Sequence, residues 1–364
     1  MINLNTKKKV RAAIIGCGGI ANAKHIPGLS KQDTVEIVAV CDIIEERAVA
    51  AAKTIGTDDI KVYTDYKELL MDTSIDVVHI CTPNKSHSYI TVDALESGKH
   101  VLCEKPMAKT AAEARLMVEA AKRTGKKLTI GYNNRHRQDS VYLKKVCERG
   151  DLGEIYFAKA HAVRRRAVPT WGVFLNEEEQ GGGAMIDIGT HALDLTLWLM
   201  NTYEVKSVVG NVYHKLGNKK DAANAWGSWD PEKFTVEDSA FGFITMTNGA
   251  TIILESSWAL NTLEIGEAQS TLCGTEGGAD MRDGLRINGE AFSKLFVTKP
   301  ELSTEGVAFY DGDSETNFER EARLWMECIL NDTEPLVKPE EALVVTEILE
   351  AIYESGRTGK TIYF

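Results

Sequence analysis

No apolar run in the chain approaches the roughly 20 residues that cross a bilayer. Residues 1–9 are polar and then basic (Lys7, Lys8, Lys9), with no apolar core behind them. An ordinary secretory leader is therefore not expected, and a cytoplasmic setting is. Positive charge is in deficit: 42 Lys and Arg face 53 Asp and Glu, a net charge of −11. That balance argues against nucleic acid or an anionic membrane as partner. Cysteine is sparse and odd in number, seven in all, with no paired zinc spacing. Four of them (Cys17, Cys41, Cys81, Cys103) fall at or beside the C-terminal ends of predicted strands. Small polarizable residues lining a nucleotide crevice fit this better than a disulfide or metal framework, and no metal is expected. Internal repeats and low-complexity tracts are also missing.

What is present suits two folded domains. The chain has 364 residues, of which 43% are hydrophobic. The first third alternates strand and helix. Strands are expected at 10–15, 35–40, 60–63, 76–81, 100–103 and 127–130, with helices at 44–55, 65–71, 86–97, 110–124 and 139–149. This alternation calls for a parallel sheet covered by helices on both faces. After Gly150-Asp151-Leu152-Gly153 the pattern changes. Residues 154–166, 205–214, 235–247, 250–260 and 268–274 read as strands of an antiparallel sheet. Asn248-Gly249 turns a hairpin between two of them. Helices are expected at 185–200, 317–330 and 339–356, and a long irregular loop at 218–231 carries Trp226 and Trp229.

The most informative stretch is Gly16-Cys17-Gly18-Gly19-Ile20-Ala21, between the strand 10–15 and a helix over 21–29. Strand, Gly-x-Gly-x-x-Ala, helix sets a pyrophosphate on a helix N-terminus. Gly16 permits the tight turn, Gly18 the approach of phosphate, and Ala21 the close packing of helix on strand. Asp42 ends the second strand, 21 residues beyond Ala21, where a carboxylate accepts hydrogen bonds from the adenosine ribose. A carboxylate there repels the 2′-phosphate of NADP, and Ile43 and Ile44 supply no offsetting cation. NAD is favoured over NADP, although Arg47 could soften this by turning inward. A glycine-rich turn in another kind of α/β protein is the alternative.

Thr82-Pro83-Asn84-Lys85-Ser86-His87 follows the fourth strand. Asn84 and His87 could reach the nicotinamide ribose, or the segment could simply turn the chain and cap helix 86–97. The fifth strand ends in Glu104-Lys105-Pro106, at the edge where a nicotinamide would lie. There Lys105 can hold a substrate hydroxyl and stabilise developing alkoxide charge. Its position outweighs the alternative of a surface ion pair. Downstream, Gly181-Gly182-Gly183 precedes a helix bearing Asp187 and His191 four residues apart. On a helix they share a face, and a carboxylate beside an imidazole suits proton transfer. A lone histidine on an apolar helix is more often structural, but the glycine run and the carboxylate shift the balance.

In order along the chain, Gly16-x-Gly18-x-x-Ala21, Cys81-Thr82-Pro83-Asn84-x-x-His87, Glu104-Lys105-Pro106, Gly131-Tyr132-Asn133-x-Arg135 and Gly181-Gly182-Gly183 through Asp187-Ile188-Gly189-Thr190-His191 resemble the glucose-fructose oxidoreductase / inositol dehydrogenase (Gfo/Idh/MocA) family. The resemblance spans nearly the whole chain. It implies an NAD-binding Rossmann domain over 1–134. A substrate-binding and oligomerisation α+β domain over 135–364 follows, with a large, open, mostly antiparallel sheet through which homodimers or homotetramers form. It implies Lys105, Asp187 and His191 as catalytic residues. Gly19, Ile20, Asp42, Thr82, Asn84, His87, Glu104 and Asn133 are implied at the dinucleotide. Arg164, Arg165, Arg166 and Trp171 fall where the family places cofactor- or substrate-facing side chains, and three consecutive arginines equally suit a solvated strand end.

The expected activity is hydride transfer between NAD and a secondary hydroxyl of a sugar, polyol or glycoside, with His191 or Lys105 as proton acceptor. Two rivals stand beside it. One is a redox-neutral glycosidase that keeps its NAD bound. The other is a regulator that binds the dinucleotide without turnover.

Overall fold

The computed structural model describes residues 9–57, 59–302 and 315–364; Lys7 and Lys8 lie outside them. The chain divides into two compact units, each made of separate segments. Met1–Ala108, Ala112–Asn133 and Glu315–Leu343 form the first, and Lys109–Ala111, Asn134–Ser314 and Val344–Phe364 the second.

Among the described residues the first unit carries a six-stranded parallel sheet. Its strands are β1 (Val10–Ile15), β2 (Val35–Cys41), β3 (Lys61–Tyr63), β4 (Val77–Ile80), β5 (His100–Cys103) and β6 (Leu128–Ile130). They lie in the order β3-β2-β1-β4-β5-β6. β4 and β6 are buried at every position, and β5 at all but its first, because helices cover both faces. The order reverses between β1 and β4, which opens a crevice at the carboxyl ends of those strands.

The helix Asn317–Leu330 lies beyond the expected boundary at 134/135 and clusters with the first unit. Its N-terminus is fixed by a capping box between Thr316 and Glu319. Its apolar stripe, Ala322, Trp325, Met326 and Cys328, shares one core with Val10, Ala12 and Ile14 of β1 and Val35 and Ile37 of β2. Burying that stripe draws the helix onto the first unit.

The second unit carries a nine-stranded sheet. It is built from β7 (Ile155–Val163), β8 (Val205–Tyr213), β9 (Ser239–Met246), β10 (Thr251–Ser257), β11 (Gly266–Gly274), β12 (Gly277–Asp280), β13 (Arg286–Ala291), β14 (Lys294–Thr298) and β15 (Ile362–Tyr363). The order is β14-β13-β12-β11-β7-β10-β9-β8-β15, antiparallel except where β10 runs parallel to β7. β9 and β10 form the expected hairpin around Asn248-Gly249. β12 to β15 are absent from the sequence expectation. β14 is exposed throughout and β13 has no buried position, so no buried-face alternation marks them.

One sheet face buries Ala158, Ala160, Ala162, Ile244, Ile252, Leu254 and Leu272, and the helix Thr190–Met200 packs over its β7 and β11 strands. Tyr156, Val209 and Phe243 are exposed. Asp194 on that helix is fully buried with Arg135, which donates from Nε at 3.0 Å and Nη2 at 2.6 Å, and Trp198 lies 5.7 Å away under the guanidinium. Among the described residues no helix is long and apolar enough to cross a membrane.

Both expected site helices begin differently from the sequence reading. Ala21–His25 is a π turn leading into the α-helix Ile26–Ser30, and Met185–Gly189 is a π turn leading into Thr190–Met200. At the first, Asn22 Nδ2 donates to the carbonyls of Cys17 and Gly18. At the second, the backbone comes so close to β10 that a Cβ on Gly189 would lie 2.9 Å from the Ser256 side chain. Removing one partner of the Arg135–Asp194 pair strands a buried charge. Arg135→Ala should cost ~3–5 kcal/mol in urea unfolding, well above the loss from Asp194→Asn, which leaves a polar partner.

Candidate active site

In the first unit the glycine loop is pinned by β2. Gly16 has φ +92, and a Cβ there would lie 2.7 Å from both the Cys81 carbonyl carbon and the Thr82 nitrogen. Only glycine fits. Cys17 N–H donates to Asp42 Oδ2 at 2.8 Å and Ile44 N–H donates to Asp42 Oδ1 at 2.9 Å. The buried carboxylate thus fixes the loop and the turn after β2 together. A Cβ on Gly18 or Gly19 would meet open space, Gly19 and Ile20 are exposed, and Ala21 is fully buried. This is the open-mouthed cradle that a pyrophosphate needs. Arg47 is exposed on the following helix. Burial, with the Asp42 charge second, pushes the Cys17 thiol up to about 12. Burial, with Cys17 second, does the same for Cys41, so both line the loop as neutral thiols.

In the loop after β4, His87 is buried between two backbone carbonyls. Its Nδ1 lies 2.8 Å from Pro106 O and its Nε2 2.9 Å from Thr82 O. Burial lowers its pKa, against the pull of these carbonyls. As a neutral imidazole with one N–H, His87 donates to one of these two carbonyls and faces the other, between the loops after β4 and β5. No side-chain cap starts the helix His87–Glu96. Ser86 Oγ donates instead to Thr82 Oγ1 and Pro83 O, while Asn84 is buried and Pro83 exposed.

Glu104 is buried, and its Oε2 accepts from Lys105 N–H at 3.1 Å. A Cβ on Gly131 would lie 3.1 Å from Glu104 Oε1, so a side chain there would press on the carboxylate. Lys105 is half-buried. Asn133 Oδ1 is buried with no protein partner, as expected of a group that meets a ligand.

In the second unit the glycine run is explained by what lies against it. A Cβ on Gly182 would sit 2.0 Å from Tyr353 Oη, and one on Gly183 would sit 2.1 Å from Glu237 O. Glu237, fully enclosed, accepts from Gly183 N–H at 2.7 Å and Met185 N–H at 2.9 Å. Burial raises its pKa and these amides pull the other way. The run therefore seats the π turn that carries Asp187.

Asp187 Oδ2 accepts from Trp258 Nε1 at 3.0 Å and lies 3.9 Å from Arg164 Nη1. His191 follows in the first turn of the α-helix. Of the three arginines, Arg164 is the one against Asp187. It also donates from Nε and Nη2 to Glu267 at 2.6 and 2.7 Å and stacks 5.1 Å over Trp226. Arg166 binds Asn261. Trp171, half-exposed, meets Trp226 edge-on at 5.0 Å.

The sequence reading missed Trp258, Glu237 and Tyr353. Each is distant in sequence from the group it holds, and the one cue was the acidic Glu237-Asp238 pair beside a strand. It also missed His25 and His79, which join Glu104 in one buried cluster. His25 Nε2 is 2.8 Å from Glu104 Oε1, and the two histidine Nδ1 atoms are 3.0 Å apart. Among the described residues no group of three or more His, Cys, Asp or Glu is arranged to hold a metal ion.

Comparison with known proteins agrees with this geometry. Residues 10–132 match the oxidoreductase family with an NAD-binding Rossmann fold, and residues 141–280 match the Gfo/Idh/MocA C-terminal domain. D-glucoside 3-dehydrogenase of Escherichia coli (strain K12) is 34% identical over 361 residues, covering 98% of each chain. Inositol 2-dehydrogenase of Salmonella typhimurium is 33% identical over 194 residues, 53% of this chain and 55% of that one. The structure of levoglucosan dehydrogenase in complex with NADH and levoglucosan superposes with a TM-score of 0.81 at 22% identity, covering 98% of this chain and 99% of that one. The chain belongs to the Gfo/Idh/MocA family of NAD-binding oxidoreductases.

Proposed function

We propose that this enzyme oxidises a secondary hydroxyl of a sugar, polyol or glycoside, with NAD as hydride acceptor. The observation that carries the reading is the grip on Asp187. An indole N–H and a guanidinium hold this carboxylate on the turn that leads into His191. NAD bound along the glycine cradle supplies an electrophilic ring carbon that takes the hydride. Gly16, Gly18, Gly19, Ile20 and Ala21 receive the pyrophosphate. Asp42 retains a free lone pair on each oxygen for a ribose hydroxyl. Thr82, Pro83, Asn84, Glu104 and Asn133 complete the dinucleotide side. Arg47, exposed beyond Asp42, borders the ribose end.

In this reading Lys105 and His191 reach the same substrate oxygen from the two domains, 1–134 and 135–364. His191 takes the hydroxyl proton, Asp187 orients it, and Lys105 polarises the oxygen as alkoxide charge develops. Arg164 and Trp171 line the sugar site, where an indole face suits the C–H face of a pyranose. The exposed Val209 and Phe243, paired on the sheet face opposite the buried one, support a homodimer or homotetramer formed through the sheet. The seven free thiols support a cytoplasmic setting.

A panel of sugars, polyols and glycosides with NAD and NADP, followed by cofactor reduction, tests the reading. Lys105→Ala and His191→Ala should each lower kcat by ~10²–10⁴-fold with a smaller change in KM. Turnover within a few-fold of the parent would overturn the roles. Asp42→Ala removes charged hydrogen bonds worth ~1.5–3 kcal/mol. It should cut kcat/KM for NAD by ~10–100-fold and narrow the preference over NADP. An unchanged preference ratio would show that Asp42 acts only on the loop.

A further inference from the structure

The buried cluster beneath Glu104 has a hydrogen-bond logic of its own. His25, His79, Glu104 and Glu321 are all more than nine-tenths buried. His25 Nε2 faces Glu104 Oε1 and His25 Nδ1 faces His79 Nδ1, at 2.8 and 3.0 Å. Only one proton fits between two imidazole nitrogens, so the choice at one end propagates to the other. With Glu104 ionised, His25 carries its proton on Nε2 and is bare at Nδ1. His79 then carries its proton on Nδ1, and its Nε2 is bare.

That last nitrogen is buried and meets no protein partner. It borders a cavity of about 10 Å³ lined by Lys24, His25, His79, Leu102, Phe318, Glu321 and Ala322, enough for a single water. The cavity's polar groups are thus two imidazoles, the Glu321 carboxyl and the Lys24 ammonium, which sits 4.3 Å over the Phe318 ring.

We infer that His25 and His79 are a proton relay between Glu321 and Glu104, completed by one water in this cavity. The proton leaves the Glu321 carboxyl through the water to His79 Nε2. The Nδ1 proton of His79 passes to His25 Nδ1, and the Nε2 proton of His25 passes to Glu104 Oε1. Every hydrogen bond reverses, no imidazolium persists, and the chain carries one negative charge before and after. Burial, with the Glu104 charge second, holds the Glu321 carboxyl well above the usual carboxylate range, so Glu321 is the resting proton donor. Burial, with His25 second, holds His79 well below the imidazole range and keeps it neutral. Cys81 senses both carboxylates, and burial keeps it a thiol.

The use of the relay rests on the placement of Glu104 at the nicotinamide edge proposed above. Glu104 would be an anion opposite the cationic ring of NAD and neutral opposite NADH, without contact with solvent.

Long-range ¹H–¹⁵N spectra of the histidine-labelled full chain at pH 7 test this, with His25→Gln and His79→Gln as assignment controls. The free protein should show His25 protonated on Nε2 and His79 on Nδ1. An imidazolium at either residue, or the opposite tautomers, would overturn the relay. Saturating NADH should exchange both tautomers. Glu321→Gln, which can donate a hydrogen bond but cannot release the proton, should hold them fixed and weaken NADH relative to NAD by ~3–10-fold. Tautomers that stay unchanged while NADH binding is verified by titration would also overturn the relay. Absence of any NADH binding would instead sink the cofactor placement, and the free-protein tautomers would still judge the relay.

Discussion

Each unit depends on the same constraint, a buried carboxylate that accepts the backbone N–H groups of a glycine-bearing turn. Asp42 takes Cys17 and Ile44, and Glu237 takes Gly183 and Met185. Hydrogen bonds to a charged acceptor contribute more than neutral ones, and they are stronger away from water. The turn that would otherwise be the softest part of its unit is thereby fixed. In both cases a single π turn follows, Ala21–His25 in one unit and Met185–Gly189 in the other. Such turns shift the phase of the helix that follows and recur at functional sites.

This shared device explains what could be read in the sequence. Gly16 and Asp42 were legible because their requirements are local: a positive φ, a close approach, and a carboxylate at the end of the next strand. The parallel sheet was legible too, since double-sided burial leaves unbroken apolar runs such as residues 12–15 of β1 and 37–41 of β2. The hairpin at Asn248-Gly249 announced itself through turn chemistry. The exposed strands β13 and β14 did not, because hydrogen bonding to neighbours, not burial, makes them strands.

The candidate site was legible only where a residue acts within its own segment. Asp187 and His191 were found by their spacing, yet the groups that hold Asp187 come from β7's end and from just beyond β10, which no spacing rule connects. The glycine run was noticed without its reason, which lies at Tyr353 and Glu237. His87 was read from its place in a loop after a strand, and its packing against the carbonyls of Thr82 and Pro106 had no signal in the local sequence.

The grip on Asp187 bears on how the two catalytic candidates divide their work. A carboxylate that already accepts an indole N–H and faces a guanidinium is an electrostatic anchor. Arg164 is in turn occupied by Glu267 on two nitrogens and by the face of Trp226. Its position is therefore set by β11 and the tryptophan loop, independently of any substrate. Charge at Asp187 is thus preset before a sugar arrives, which is the condition for electrostatic stabilisation without reorganisation. In the proposed reaction the proton carrier on that helix is the imidazole of His191, and a change in Trp258 would reach it through the orientation of Asp187.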